Sequence, residues 1–435
     1  MENNNLNTEP SKEVIEQSKV CKFLKSKTFI IISSIILILS IAIGYWFYSN
    51  NKLINSYSNK VYPGVSILGT DLSGLSSEEL HATLISLFNN IENKQITVTA
   101  KDEKFNTTYK DLGSAINITE LENSILSYGK NESFFNKVSL IKEPVNKEYE
   151  LSVTFNEDKI NSFVDKISNA INYNPKNASI NIAGGRSIVN DQPGLKLNSE
   201  ELLNNIKSCI NDINSPEISE ITGNVETVEA NITASELSTV NKKISSYTTN
   251  FTAGPSGTNL SIAARNINNS IIMPGETFST EQAIGPTTIE NGFVEANTYV
   301  GGEVVKGVGG GVCQVASTLY NTMLKAGIIP TERLNHMMPV SYVPLGLDAT
   351  LADNLIDLKF VNEFDYPIVI NSYTANGKLT VEFWSNETVN QGMTYEAVSV
   401  PLNSLSADAY LYGYNSNGEL VVNQYLDRST YQPLP

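Results

Sequence analysis

Residues 302–328, GEVVKGVGGGVCQVASTLYNTMLKAGI, place a cysteine directly after three glycines and a valine. Apolar residues recur there at intervals of three and four, which predicts one apolar helix face: Val312, Val315, Ala316, Leu319 and Met323. Gly327 stands where a C-cap glycine would end that helix. The stretch therefore predicts a helix that packs on a sheet, with Cys313 one position off the apolar face and in the first turn.

A thiol in the first helical turn lies near unpaired N–H groups and the positive end of the helix dipole, and both favour the thiolate. The glycines before it let the backbone approach a substrate closely and can direct N–H groups toward developing negative charge. Gly309, Gly310 and Gly311 are therefore candidate oxyanion or substrate-binding residues.

The thiol needs a base, and His336, 23 residues after Cys313, is the candidate. Asp348 is the acid that we expect to orient the imidazole. Its alternatives are Asp353, Asp357 and Asn335. A cysteine, a histidine and an acid together make a thiol an acyl-transfer nucleophile.

The structural alternative is that Cys313 fills the core and that the glycines only form a tight turn. A zinc site fits less well, because one Cys and one His need two further ligands that no close spacing supplies. No pair of carboxylates stands out for glycoside cleavage. We expect neither a metal nor a cofactor.

Length and charge limit the class of protein. The 435 residues suffice for two or three domains, and 41% hydrophobic residues support packed cores. The net charge of −16, from 30 basic and 46 acidic residues, argues against nucleic acid as a partner and gives no support to a polybasic membrane patch.

Residues 28–48, TFIIISSIILILSIAIGYWFY, carry no charge over the length that a helix needs to cross about 30 Å of hydrocarbon. Four lysines precede this run and an aromatic group ends it: Lys19, Lys22, Lys25 and Lys27, then Tyr45, Trp46 and Tyr48. The positive-inside rule predicts a single-pass anchor with residues 1–27 in the cytoplasm and the following domains outside. A cleaved signal peptide is the alternative, but no small-x-small pattern follows the run.

The exported part has an α+β pattern. We expect a linker at 49–59, a first module at 60–230, a second at 231–385 and a strand-rich extension at 386–435. In the first module, Ser76 is the expected N-cap of a helix that carries His81 on its surface, and Cys209 lies on an apolar helix face as a buried thiol. A disulfide between Cys209 and Cys313 is an open alternative.

The first module resembles the peptidoglycan-binding domain of many Gram-positive wall enzymes, including L,D-transpeptidases. The resemblance rests on GVSILGTDLSGLSSEEL, FNEDKINSFVDKI and PKNASINIAGGRSIVNDQPGLKLNSEELLNNI. It implies peptidoglycan as a partner.

The second module resembles the VanW-domain family. The resemblance rests on RNINNSIIMPGETFS, GGGVCQVASTLYNTMLKAGI, ERLNHMMPVSYVPLGLDATL and DLKFVNEFDYPIVI, and YGYNSNGELVVNQYLDRSTYQP is similar to that family's end. It implies a Gram-positive envelope protein and L,D-transpeptidase activity that forms 3-3 cross-links between peptidoglycan stem peptides. Cys313 would then be the nucleophile and His336 the base. Arg265 is a further candidate that would hold a stem carboxylate bidentately, and its alternative is a structural role at the start of a turn.

The chain lacks the Ser/Thr-His-Gly-Cys signature of the well-known L,D-transpeptidase fold. The same activity would therefore need a different arrangement of the same groups. Two other functions stay open, a carboxypeptidase or amidase using the same thiol and a non-catalytic peptidoglycan-binding or scaffold protein.

Overall fold

The computed structural model describes residues 26–212, 215–300 and 303–433. Its internal contacts divide the chain into two compact units, one of residues 1–172 and 197–226 and the other of 173–196 and 227–435. Residues 173–196, which the sequence assigned to the first module, therefore belong to the second unit. Most of the expected cytoplasmic tail, with Cys21, lies outside the described residues.

The apolar run forms a single long helix, α1 (Lys27–Ser56), which is long and apolar enough to cross a membrane. Ser26 caps it, because its hydroxyl accepts the N–H of Phe29 at 3.1 Å. The expected linker at 49–59 is instead helical as far as Ser56. A helix of this kind near the N-terminus fits either a membrane anchor or a signal sequence.

The first unit joins helices to two three-stranded sheets. One sheet has the order β2 (Thr70–Asp71), β1 (Val65–Ile67), β5 (Lys147–Tyr149), and the other β4 (Glu103–Thr108), β3 (Gln95–Ala100), β9 (Ile218–Gly223). The helices are α2 (Ser77–Glu92), α3 (Ile118–Ser127), α4 (Phe134–Lys142), α5 (Glu157–Ile171) and α6 (Ser199–Asn211). The predicted N-cap of α2 is present: Ser76 and Glu79 form a reciprocal capping box.

The second unit is built on a four-stranded antiparallel sheet with the order β11 (Lys242–Asn250), β18 (Lys378–Ser385), β17 (Ile368–Ala375), β12 (Ile271–Ile272). A second antiparallel sheet contains β19 (Thr394–Asn403), β20 (Ser406–Tyr414) and β21 (Leu420–Thr430). Three two-stranded antiparallel pairs complete the unit. Two are hairpins, β6 (Ser179–Asn181) with β7 (Ser187–Val189) and β14 (Glu295–Val300) with β15 (Glu303–Val308), and the third joins the distant strands β13 (Thr277–Ser279) and β16 (Lys359–Val361). Two further strands, β8 (Gly194–Leu197) and β10 (Val225–Val228), lie where the sequence passes from one unit to the other.

The helices of the second unit are α7 (Ala234–Ser238), α8 (Pro255–Ile267), α9 (Thr280–Ile284) and α10 (Cys313–Lys325). Helix α10 is the predicted central helix, and Gly327 follows its C-cap with a φ of 79°. The helix packs on the antiparallel sheet, where the Ser245 hydroxyl of β11 donates to the Thr322 carbonyl at 2.8 Å. The mixed α+β class predicted from the sequence is confirmed.

The burial of α10 differs from the prediction of a single apolar face. Every residue from Gln314 to Leu324 is buried, including five polar ones. Their side chains find partners on neighbouring elements. Asn321 Nδ2 donates to the Leu347 carbonyl at 2.7 Å, and Ser317 Oγ exchanges hydrogen bonds of 3.0 Å with the backbone of Ala349. These bonds fix the 347–351 loop beside the first turns of α10.

Candidate active site

Cys313 is the first residue of α10. The three glycines before it stand where the backbone conformation or neighbouring atoms disfavour a residue with a side chain. Gly309 and Gly311 have φ values of 90° and 107°, which favour glycine. A Cβ at Gly310 would lie 2.3 Å from the Asn297 carbonyl oxygen, and one at Gly311 would lie 2.5 Å from a backbone oxygen. The glycine run therefore lets the thiol enter α10 through a closely packed turn.

Polar groups of the 350–351 segment surround the Cys313 sulfur. The Leu351 N–H donates to Sγ at 3.4 Å, and Thr350 Oγ1 lies 3.6 Å from it. Burial is the largest single effect on the pKa of the thiol, and it raises that pKa. The hydrogen bond and charge of His336, the Leu351 N–H and the Thr350 hydroxyl lower it, and together they hold the pKa below the ordinary 9.0. The net direction favours the thiolate.

His336 lies between the thiol and a carboxylate, and only 8% of it is exposed. Its Nδ1 is 2.7 Å from Asp348 Oδ2, and its backbone N–H donates to the same oxygen at 2.6 Å. Nε2 is then the ring nitrogen left for Cys313. Burial lowers the pKa of the imidazole, but hydrogen bonds and charges of Asp348 and Cys313 outweigh it and raise the pKa to about 9. The imidazole therefore carries its proton at neutral pH, and its charge shifts the neighbouring Cys313 thiol toward the thiolate.

Asp348 is fully buried, and two residues that the sequence did not single out hold it. The Tyr431 hydroxyl donates to Oδ1 at 2.5 Å and accepts the Gly346 N–H at 2.7 Å. Arg333 Nη2 lies 3.5 Å from Oδ1, and Arg333 Nε donates to the Asp348 carbonyl at 2.8 Å. Burial raises the pKa of this carboxyl, but hydrogen bonds from His336 and Tyr431 and the His336 charge lower it overall.

Arg333 also binds residues of β21, which joins the Asp348 loop to the strand-rich extension. Its Nη1 donates to Asp427 Oδ2 at 3.0 Å and to Ser429 Oγ at 3.1 Å, while the side chain is only 5% exposed. A local signal for Arg333 exists in ERLNH, three residues before His336, but nothing near residue 431 indicates the contact of Tyr431 with Asp348.

Cys313 and His336 open into one cavity of about 390 Å³. Its wall also contains Ser256, Asn297, Thr298, Gly311, Gln314, Pro339, Val340, Ser341, Tyr342, Thr350 and Leu351. Hydroxyl and amide groups therefore lie beside the thiol in this cavity. A second cavity of about 530 Å³ shares His336, Thr350 and Leu351 with the first and is lined mainly by apolar side chains.

The structure does not bring every predicted site residue to this cavity. Of the three glycines, Gly311 lines it, whereas Gly309 packs against Thr287 and Gly310 against Asn297. Arg265 lines a different cavity of about 590 Å³, so it does not join the thiol.

The alternative orienting groups are bound elsewhere. Asp353 Oδ2 accepts from Thr287 Oγ1 at 3.0 Å, and Asp357 binds Ser279 and the Glu281 N–H. Asn335 Nδ2 donates to the His336 carbonyl at 2.8 Å. Asp348 is therefore the acid that contacts the imidazole.

The other histidine and thiol of the described residues lie in the first unit. His81 is exposed and pairs with Glu122 at 2.5 Å. Cys209 is partly buried at the edge of that unit's core, and both Cys209 and Cys313 are free thiols. The disulfide between them that the sequence left open is not formed.

Comparisons with known proteins agree with both resemblances. The family described as "VanW like protein" matches residues 256–384, and the family described as "Putative peptidoglycan binding domain" matches residues 105–219. The peptidoglycan-binding match ends at residue 219 and the VanW match begins at residue 256, so the two matched regions do not overlap.

Two curated proteins are similar to parts of the chain. The "Uncharacterized protein YoaR" of Bacillus subtilis (strain 168) is 39% identical over 132 residues, which cover 30% of this chain and 44% of that protein. The "Vancomycin B-type resistance protein VanW" of Enterococcus faecalis (strain ATCC 700802 / V583) is 31% identical over 112 residues, 25% of this chain and 41% of that protein. The chain thus spans less than half the length of each relative. No solved structure matches significantly.

Proposed function

We propose that this chain, which its VanW-like and peptidoglycan-binding-like regions relate to the cell wall, is a cysteine-dependent L,D-transpeptidase. Helix α1 would anchor it in the membrane with both units outside, and the first unit would hold it to peptidoglycan. The second unit would join stem peptides through 3-3 cross-links.

One observation carries the enzymatic proposal. Asp348 Oδ2 accepts from His336 Nδ1 at 2.7 Å, and the thiol that shares the cavity with this imidazole begins a helix. A thiol next to a histidine, with the histidine bound in turn by a carboxylate, is the arrangement of nucleophile, base and orienting acid that unrelated folds use for acyl transfer. A cysteine that only filled the core would not need a buried acid behind its histidine.

In the proposed acylation step, the Cys313 thiolate attacks the carbonyl carbon between the third and fourth residues of a donor stem. The C–N bond breaks, and the His336 imidazolium gives its Nε2 proton to the departing D-alanine amine. The product is a thioester on Cys313 and a neutral imidazole. Backbone N–H groups of Gly311 and Cys313 are the proposed donors to the oxyanion of the intermediate.

In the proposed second step, the amine of an acceptor stem attacks the thioester carbonyl. Neutral His336 takes a proton from that amine, the C–S bond breaks, and the thiolate and imidazolium are restored. If water attacks instead, the same acyl-enzyme gives a shortened stem and no cross-link. The choice between amine and water thus decides between a transpeptidase and a carboxypeptidase.

The test uses the full chain in detergent micelles with a disaccharide-tetrapeptide and analysis of the products by mass spectrometry. The wild type is expected to form 3-3 dimers, and Cys313→Ala to form none. Cys209→Ala is the matched control, since it removes the other described free thiol and should leave the dimer yield unchanged. Dimers from Cys313→Ala would refute the nucleophile.

The other outcomes separate the alternatives. Shortened stems without dimers would identify a carboxypeptidase that uses the same thiol. Neither dimers nor shortened stems from a folded wild type, together with binding to purified peptidoglycan, would favour the non-catalytic scaffold.

A further inference from the structure

Four aromatic rings from two distant parts of the first unit form a cluster. Trp46 and Phe47 belong to α1, and Phe134 and Phe135 are the first two residues of α4. Phe47 stacks on Phe134 with ring centroids 5.1 Å apart, and Trp46 stacks on Phe135 at 6.0 Å. The first turn of α4 therefore lies beside α1 at the level of residues 46 and 47.

The cluster is open on its outer side. Phe135 is 63% exposed, and Trp46 and Phe47 are each 41% exposed, with exposed Tyr45 and Tyr48 next to them in the chain. Single exposed apolar residues are common, but a contiguous exposed group of large rings marks an interaction surface. The rest of α4 needs no such partner, because Val138 and Ile141 are buried.

The connection that leads into α4 is fixed to the end of α1. Lys130 Nζ donates to the carbonyls of Tyr57, Ser58 and Lys60 at 2.6, 2.7 and 2.8 Å, directly after the helix ends. Lys130 precedes Phe134 by only four residues. These three hydrogen bonds tie the segment before α4 to the segment after α1 and so hold the start of α4 beside α1.

The position of the cluster along α1 indicates the occupant of this surface. The apolar run of α1 is exposed along its whole length and ends in Tyr45, Trp46 and Tyr48. In a spanning helix, aromatic residues at the end of the apolar run lie at the membrane–water interface. Helix α1 continues for eight residues beyond Tyr48, to Ser56, which is about 12 Å at 1.5 Å per residue. The chain that follows α1 therefore starts about 12 Å past the aromatic end of the apolar run, and it comes back to that end where α4 begins.

We propose that the first turn of α4 is a membrane-contacting element, with Phe134 and Phe135 in the outer lipid leaflet beside Trp46 and Phe47. The first unit would then rest on the bilayer and would not swing on a free stalk. Lipid is favoured over a protein partner because the exposed rings continue the apolar surface of α1. This inference rests on the proposed membrane anchoring and is independent of the proposed chemistry.

The test uses tryptophan fluorescence of the full chain in phosphatidylcholine vesicles with brominated acyl chains, which quench nearby tryptophan. The chain has two tryptophans, Trp46 and Trp384. In a Trp384→Phe background, Trp46 reports the depth of α1. Adding Trp46→Phe and Phe135→Trp then reports the start of α4, and Val145→Trp is the matched control because Val145 is also an exposed apolar residue of the first unit.

We expect tryptophan at position 135 to lose the same fraction of its fluorescence as Trp46, and tryptophan at position 145 to lose little. Quenching of Trp46 without quenching at position 135 would overturn the inference and leave the anchor intact. No quenching of Trp46 would overturn both. Circular dichroism of each variant checks that it is folded, and the exposed position of residue 135 makes the substitution mild.

Discussion

Replacing Asp348 with Asn is expected to slow the reaction of Cys313 with iodoacetamide at neutral pH. The substitution keeps the size of the side chain but removes the charge that His336 Nδ1 binds at 2.7 Å. Burial lowers the pKa of His336, and the hydrogen bond of Asp348 is the largest of the effects that raise it, so without the carboxylate more of the imidazole should be neutral at pH 7. The thiolate then loses its cationic neighbour, and the pKa of Cys313 should rise.

The magnitude follows from the pKa of His336. Its value of about 9, against 6.5 for the ordinary imidazole, corresponds to about 3 kcal/mol in favour of the charged form. Loss of most of that energy would raise the pKa of the thiol enough to reduce the thiolate population by up to about a hundredfold. A thiolate of higher pKa is intrinsically more nucleophilic, which offsets about half of the effect on a logarithmic scale. The net expectation is a rate lower by about tenfold.

The assay measures the alkylation rate from pH 5 to pH 10 in a background of Cys21→Ala and Cys209→Ala, so that Cys313 is the one remaining thiol. Asp353→Asn is the matched control, because Asp353 is exposed and binds Thr287. It should leave the profile unchanged. An unchanged profile for Asp348→Asn, or an equal shift for Asp353→Asn, would refute the role of Asp348.

Three further predictions concern the same unit. Gly311→Ala should destabilise the protein by at least about 1 kcal/mol in urea unfolding, since φ is 107° and the new Cβ would lie 2.5 Å from a backbone oxygen; equal stability would contradict the tight turn. Tyr431→Phe should cost about 1–3 kcal/mol in the same assay because buried Asp348 loses a donor, whereas exposed Tyr425→Phe should be neutral. Dimer formation should fall as pH rises through about 9, where His336 loses the proton for the leaving amine; full activity at pH 10 would contradict this.

The raised pKa of His336 also makes the stability of the fold depend on pH. Because the folded value of about 9 exceeds the ordinary 6.5, its contribution to stability is fully present below pH 6.5 and is lost as the pH rises to about 9. The thermal midpoint of the wild type should therefore fall across this window more than that of His336→Gln. Identical slopes would show that the imidazole gains no proton affinity on folding.

Local signals in the sequence predicted the local features of the structure. The periodic apolar residues and Gly327 gave α10 its correct limits, and the capping box gave the start of α2. Composition predicted the α1 helix but not its extension to Ser56, because the last polar turns resemble a linker.

Contacts between residues far apart in the chain could not be predicted in this way. The sequence predicted one apolar face of α10, but the 347–351 loop and β11 also cover its polar residues. Arg333 and Tyr431 contact Asp348 because their loops pack together in the folded chain, and no periodic pattern of residues in the sequence predicts that packing. Arg265 has a suitable side chain for a carboxylate, but the direction of α8 carries it to another cavity.

The contact between Tyr431 and Asp348 also implies an order in which the parts of the candidate site come together during folding. Tyr431 follows Cys313 by 118 residues, so a chain synthesised from its N-terminus contains the thiol well before this hydroxyl. Until the segment of β21 and Tyr431 is in place, Asp348 lacks the Tyr431 hydrogen bond, and Arg333 lacks its contacts with Asp427 and Ser429. Under the proposed function, completion of the C-terminal sheet would therefore be the step that assembles the site around Cys313.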